Sequence, residues 1–159
     1  MNEKLILSIL VENYSGTLSE VAGLFTRRGY NIDSLNVAET QDPNISRITV
    51  AVTGDSYIIE QITKQLHKLI NVIKITILTE AASIQRELMM VKVNAIGTKR
   101  TEIIQIVDIF KANIADVTNK NMIIVITGTE DKNNAFLELL KPYGIVEMTR
   151  TGPAALERG

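Results

Sequence analysis

The sequence predicts an α+β chain of two consecutive βαββαβ units, and three observations carry that reading. The first is a weak internal repeat: Asn13-Tyr14-Ser15-Gly16-Thr17 returns as Asn94-Ala95-Ile96-Gly97-Thr98, Phe25 with Asn31-Ile32 returns as Phe110 with Asn113-Ile114, and Thr53-Gly54 returns as Thr127-Gly128. The order is kept each time. The second is a hydrophobic spacing that switches between strand-like runs and the i, i+3, i+4, i+7 pattern of a helical face. The third is composition: 159 residues with 45% hydrophobic and 22% charged content suit one ordinary globular domain or two small ones.

The elements follow in order. Residues 4–11 form a strand with Leu5, Leu7, Ile9 and Val11 on one face and Ile6 and Leu10 on the other, so both faces call for cover. Residues 17–28 form a helix whose apolar face is Leu18, Val21, Ala22 and Phe25; Arg27 and Arg28 complement its negative end, and Gly29 supplies a left-handed exit. Strands 32–39 and 47–53 flank a turn at Asp42-Pro43-Asn44, and helix 57–69 and strand 72–79 complete the first unit. In the second unit the strands are 88–94, 114–118, 122–127 and 145–150. Its helices are 98–111, with Ile103, Ile106, Val107 and Phe110 inward, and 132–141, with Phe136, Leu139, Leu140 and the following Tyr143 inward. Each unit is ferredoxin-like. Alternation stops over residues 80–87, which sets the expected domains at 1–80 and 81–159. Helices cover one face of such a sheet, so the other needs the second domain or another copy. A half of this size has a thin core, which favours a homodimer.

Composition removes several function classes. With no cysteine there is no thiol nucleophile, disulfide or thiolate metal site, which suits a reducing, cytoplasmic setting, or an organelle matrix or stroma. The formal charge of −1 gives no footprint for nucleic acid or an anionic membrane, and apolar runs such as 5–11 and 122–126 are too short to span a bilayer. No nucleotide-binding, nucleophile-elbow or metalloprotease motif occurs. The sole histidine, His67, falls on the polar side of a helix, the carboxylates are scattered, and the aromatics lie at helix ends, on helix faces or in turns instead of on strands that could stack bases. No catalytic residue and no metal site is predicted.

What remains is the turn Glu12-Asn13-Tyr14-Ser15-Gly16-Thr17-Leu18. A glycine there lets a ligand approach the backbone, and amides near Gly16, Thr17 and Leu18, at the positive end of a helix, can hold a carboxylate. Ser15 or Thr17 can cap the helix, with Glu20 at capping-box spacing from Thr17, and Asn13 can take the ammonium group of an amino acid. Asn31, before the second strand, reads equally as a turn residue or a ligand contact.

At these residues the sequence resembles an ACT domain, and over nearly its whole length it is similar to the regulatory (small) subunits of acetohydroxyacid synthase, also called acetolactate synthase. The resemblance rests on Leu10-Val11-Glu12-Asn13-Tyr14-Ser15-Gly16-Thr17-Leu18, on Gly23 to Leu35 with its Arg27-Arg28-Gly29-Tyr30-Asn31-Ile32 centre, on Arg86-Glu87-Leu88-Met89-Met90-Val91, and on Arg150-Thr151-Gly152-Pro153-Ala154-Ala155. It implies a non-catalytic partner of a large catalytic subunit, raising its activity and conferring inhibition by a branched-chain amino acid, usually valine. It further implies an effector site between two ACT domains, with Asn13, Ser15, Gly16, Asn31, Ile32 and Ala38 in it and Thr17 and Leu18 joining through their amides. Thiamine diphosphate, magnesium and FAD are expected in the catalytic partner and no cofactor in this chain, whose second half is assigned to coupling. The competing readings are a free-standing amino-acid-sensing module, a second effector site at residues 94–98, and an acyl-phosphate hydrolase using Arg100 beside Gly97.

Overall fold

The computed structural model describes residues 3–159; Met1 and Asn2, the first two of the expected 1–80 domain, lie outside the described residues. The first unit runs β1 (Glu3–Glu12), α1 (Thr17–Arg27), β2 (Ile32–Glu39), β3 (Ile45–Gly54), α2 (Ser56–His67) and β4 (Val72–Leu78). Its sheet has the antiparallel order β2-β3-β1-β4 expected of a ferredoxin-like unit. The second runs β5 (Ser83–Asn94), α3 (Lys99–Phe110), β6 (Asn113–Val117), β7 (Asn121–Gly128), α4 (Glu130–Leu140), a 3-10 turn (Lys141–Tyr143) and β8 (Ile145–Arg150), in the order β6-β7-β5-β8. A short strand, β9 (Ala154–Glu157), follows. None of the described helices is long and apolar enough to cross a membrane.

Each core is the one the strand alternation dictates. In the first unit Leu7, Ile9 and Val11 of β1 and Ile48, Val50 and Val52 of β3 meet Val21, Leu24 and Phe25 of α1 and Ile59, Ile62 and Leu66 of α2. In the second, Met89, Val91, Val93, Met122, Ile124 and Ile126 meet Ile103, Val107, Phe136 and Leu140. The helix α1 is turned relative to expectation: Thr17 and Leu24 are buried and Leu18 is 42% exposed. Thr17 tolerates burial because its hydroxyl donates to the Glu12 carbonyl at 3.2 Å. In α4, Leu139 is likewise exposed and Asn133 takes the inward place, donating to the Glu87 carbonyl at 3.0 Å.

The exit of α1 is a Schellman motif: Tyr30 N donates to Phe25 O at 3.0 Å, Gly29 N to Thr26 O at 3.2 Å, Gly29 has φ +69°, and the Phe25 and Tyr30 rings meet edge-on. The same pattern closes α3, with Ala112 N on Val107 O at 2.9 Å, but there Lys111 occupies the left-handed position at φ +56°. Val107 is thus the counterpart of Phe25. Phe110, which the sequence repeat paired with it, instead packs edge-on against Phe136.

The division of the chain differs from 1–80 and 81–159 in two respects. One compact unit takes the residues up to Ile84 together with Gly152–Gly159, and the other is Gln85–Thr151. The segment 80–87, read as a join, holds the first five residues of β5, which alternates in burial from Ser83 onward. That alternation is carried by polar residues, Ser83 and Glu87, so hydrophobicity does not reveal it. The C-terminal residues return to the first unit, where Ala155 joins Ile6, Ala51 and Leu78 in a small cluster. Part of the sheet face opposite the helices, for which a second domain or copy was expected, is therefore covered by the chain's own end.

Glu87 is 3% exposed, and its carboxylate receives Nε and Nη2 of Arg150 at 2.7 and 2.9 Å. That hydrogen bond is the main reason the Arg150 pKa is raised. A cation raised on folding stabilises below its unfolded pKa, so the contribution is constant through neutral pH. Arg150→Leu leaves Glu87 without this guanidinium, with an expected loss of about 3 kcal/mol at neutral pH. Urea denaturation at neutral pH measures the loss. Lys111→Gly removes a left-handed penalty and is expected to stabilise the second unit by about 1 kcal/mol, read from the same denaturation curves.

Candidate binding site

The turn between β1 and α1 is fixed by backbone bonds at its edges and left open at its centre. Asn13 N donates to Asn44 O at 2.8 Å, Thr17 N to Tyr14 O at 3.2 Å, and Glu20 N to Gly16 O at 3.0 Å. Gly16 stands at the N-cap with φ +89° and no side-chain cap, and nothing lies within 4 Å of where a Cβ would be. The capping box expected of Thr17 and Glu20 does not form, because Thr17 is already the first helical residue and its hydroxyl points back to Glu12. Ser15 is exposed and makes no cap either. Among the described residues, no acceptor meets the amides of Gly16, Leu18 and Ser19. They open to solvent at the positive helix end, which is the arrangement a carboxylate needs.

Asn13 sits beside them and is held from behind. Its Nδ2 donates to the Pro43 carbonyl at 3.0 Å and to Glu39 Oε1 at 3.4 Å, which leaves Oδ1 as an acceptor. The hairpin that receives it is rigid in turn: Thr40 Oγ1 donates to Ile45 O, and Asn44 N donates to Asp42 Oδ1. The site therefore juxtaposes bare amides with an amide oxygen and a carboxylate. Glu39 was not singled out in the sequence, where the end of a strand carries no signal; only its approach to Asn13 reveals it.

The remaining expected residues lie along β2. Ile32 is half-buried on the helix side, and Ala38 is on the opposite face, in register with Arg47. Leu35 and Val37, in register with the core residues Val50 and Ile48, are 36% and 42% exposed because β2 is the edge of the sheet and the helices do not cover it. Strand alternation could have marked them as an apolar wall. Asn31 precedes β2, its Nδ2 on Asp33 Oδ1 at 3.5 Å, whereas Asn13 touches Glu39 at the far end. Those ends are about 25 Å apart along the strand, so one chain does not bring Asn31 and Ile32 to the Gly16 turn.

Comparison with known proteins identifies the family. A family model described as "AHAS small subunit-like ACT domain" matches residues 7–74, and one described as "Small subunit of acetolactate synthase" matches residues 86–159. A probable acetolactate synthase small subunit of Methanothermobacter thermautotrophicus is 51% identical over 97% of this chain and 92% of its own. The chain belongs to the acetolactate synthase small-subunit family. The acetolactate synthase small subunit of Haemophilus influenzae is 48% identical over 97% of this chain and 95% of its own. The crystal structure of the Thermotoga maritima acetolactate synthase small subunit superposes with a TM-score of 0.91 at 40% identity, covering 99% and 98% of the two chains.

Within this small subunit the two repeated turns are not equivalent. Gly97 also has a positive φ, +65°, but Arg100 reaches back into its turn: Nε donates to the Ala95 carbonyl at 3.0 Å and Nη2 to the Thr118 carbonyl. A guanidinium spent on two backbone carbonyls ties the loop to the β6–β7 connection and is not presented to a phosphate. At the matching place in the first turn stands Ser19, which makes no such bond, and the turn is open. His67 is exposed in the last turn of α2, and among the described residues no three His, Asp or Glu side chains gather to hold a metal.

Proposed function

We propose that this small subunit is a regulator of the acetolactate synthase large subunit, raising its activity and conferring feedback inhibition by a branched-chain amino acid, with valine as the leading effector. The observation that carries the reading is the Gly16 turn: bare amides at a helix start for an α-carboxylate, with Asn13 Oδ1 and Glu39 beside them for an α-ammonium. A zwitterion satisfies both halves at once, which an inorganic anion cannot. The exposed Leu18, Leu35 and Val37 supply apolar surface for a short aliphatic side chain. On this reading thiamine diphosphate, magnesium and FAD belong to the large subunit.

The same geometry favours a homodimer. β2 is bonded on one side only, and an eight-residue edge with exposed Leu35 and Val37 is a surface that proteins pair or protect. Two copies joined antiparallel along β2 about a two-fold axis align the start of one strand with the end of the other. Asn31 and Ile32 of a second copy then come beside Ala38 and Glu39, next to the Gly16 turn. That pairing unites every residue the sequence assigned to the effector.

The test is reconstitution with a purified acetolactate synthase large subunit, assayed with and without valine, alongside calorimetry and sedimentation of the small subunit alone. Gly16→Asp is expected to abolish valine binding and inhibition while leaving activation, because its carboxylate competes for the same amides; no atom lies in the way of the side chain, and Gly16→Ala, which shares the backbone strain at φ +89° without the charge, is the control. Asn31→Ala is expected to weaken valine binding by about 1–3 kcal/mol without altering the fold. A monomer that binds valine with full affinity overturns the shared site.

A further inference from the structure

The C-terminal segment leaves the second unit after Thr151 and enters the first at Gly152. Arg150 is clamped by Glu87, Thr151 N donates to Leu88 O at 3.0 Å, and Leu88 N donates to Thr151 Oγ1 at 3.2 Å, all within the second unit. The next residue, Gly152, belongs to the first. There it adopts φ +74°, and a Cβ built on it would stand 2.4 Å from Ser34 Cβ and 2.5 Å from Ser34 Oγ, so the position admits only glycine on two counts. Pro153 O accepts Asn36 Nδ2 at 3.0 Å, Ala155 is buried against Ile6, Ala51 and Leu78, and Arg158 N donates to Ala82 O at 2.8 Å.

The segment thus grips β2 from behind. Alternation puts Ser34 and Asn36 toward the segment, and Leu35 and Val37 toward the helix side, where the effector edge lies. A strand cannot move one face without the other, so any shift of β2 is felt at Gly152 and Pro153. The contact is also poised instead of maximally stable: Ser34 Oγ is buried without a hydrogen-bond partner, a desolvation cost that release would recover. Coupling requires an element that can take two arrangements, and release of this docked segment would supply the second.

We propose that residues 152–159 form a strap that transmits the position of β2 to the second unit, with Ser34, Asn36 and Gly152 as its positioning residues. The proposal rests on the valine reading of the β2 edge. Its test uses the full chain reconstituted with the acetolactate synthase large subunit and two variants, Gly152→Val and the milder Asn36→Ala. Hydrogen exchange over residues 154–157 reports release of the strap, calorimetry reports valine binding, and activity reports valine inhibition. Both variants are expected to exchange faster over the strap and to bind valine to the parent's stoichiometry, while losing at least about fivefold of the valine inhibition at saturating valine. A merely structural role would lower binding and inhibition together, and that result overturns the proposal. Released straps with undiminished inhibition overturn it as well, as does unchanged exchange in both variants. A parent chain that binds no valine overturns the effector reading first and the coupling with it.

Discussion

The antiparallel ladder between β1 and β3 is the constraint on which the first unit depends. Its ten register pairs run without interruption from Glu3 with Gly54 to Glu12 with Ile45. Because the ladder holds to its last pair, the chain leaves β1 at the level of the β2–β3 hairpin, and Asn13 can be bonded by both its backbone and its side chain to that hairpin. The same register puts Leu7, Ile9 and Val11 against Val50, Ile48 and the helices on one face, and Ile6 beside Ala51 on the other. A slip of one residue would exchange the faces and destroy the core and the open turn together.

The two repeated turns share a backbone and differ in what stiffens them. Both strand-to-helix turns need a glycine at positive φ, a demand of chain geometry that says nothing about ligands. In the second turn Arg100 consumes carbonyls of the turn and of the neighbouring hairpin, which makes it a rigid joint. In the first turn the stiffening comes from behind, through Asn13 and the Pro43 carbonyl, and the front is left bare. Preorganised amides of this kind bind without paying for rearrangement.

Burial of polar groups takes two opposite forms in this chain. Glu87 is accepted in the interior because Arg150 matches both its oxygens, and the pair closes β5 onto β8 just before the chain leaves the second unit. Ser34 is the opposite case, a hydroxyl covered by Gly152 with nothing given in return. A satisfied buried pair rigidifies an arrangement, whereas an unsatisfied buried hydroxyl costs its desolvation.

The sequence alone was enough for element order, for the two βαββαβ units and for the Gly16 turn. Those rest on local signals: period-2 and period-3.6 spacing, glycines at left-handed positions, and charge at helix ends. It also carried the family resemblance, which the comparisons bear out. It could not reveal the outward turn of Leu18, since that follows from a Thr17 hydroxyl finding the Glu12 carbonyl across the turn. It missed the first half of β5 and the return of the C-terminus, where polar or small residues, Ser83, Glu87, Gly152 and Ala155, take the inward places that hydrophobic periodicity looks for. Local pattern determines which segments are strands and helices; which polar group meets its partner, and which face the chain's own end covers, is settled only when distant residues meet in space.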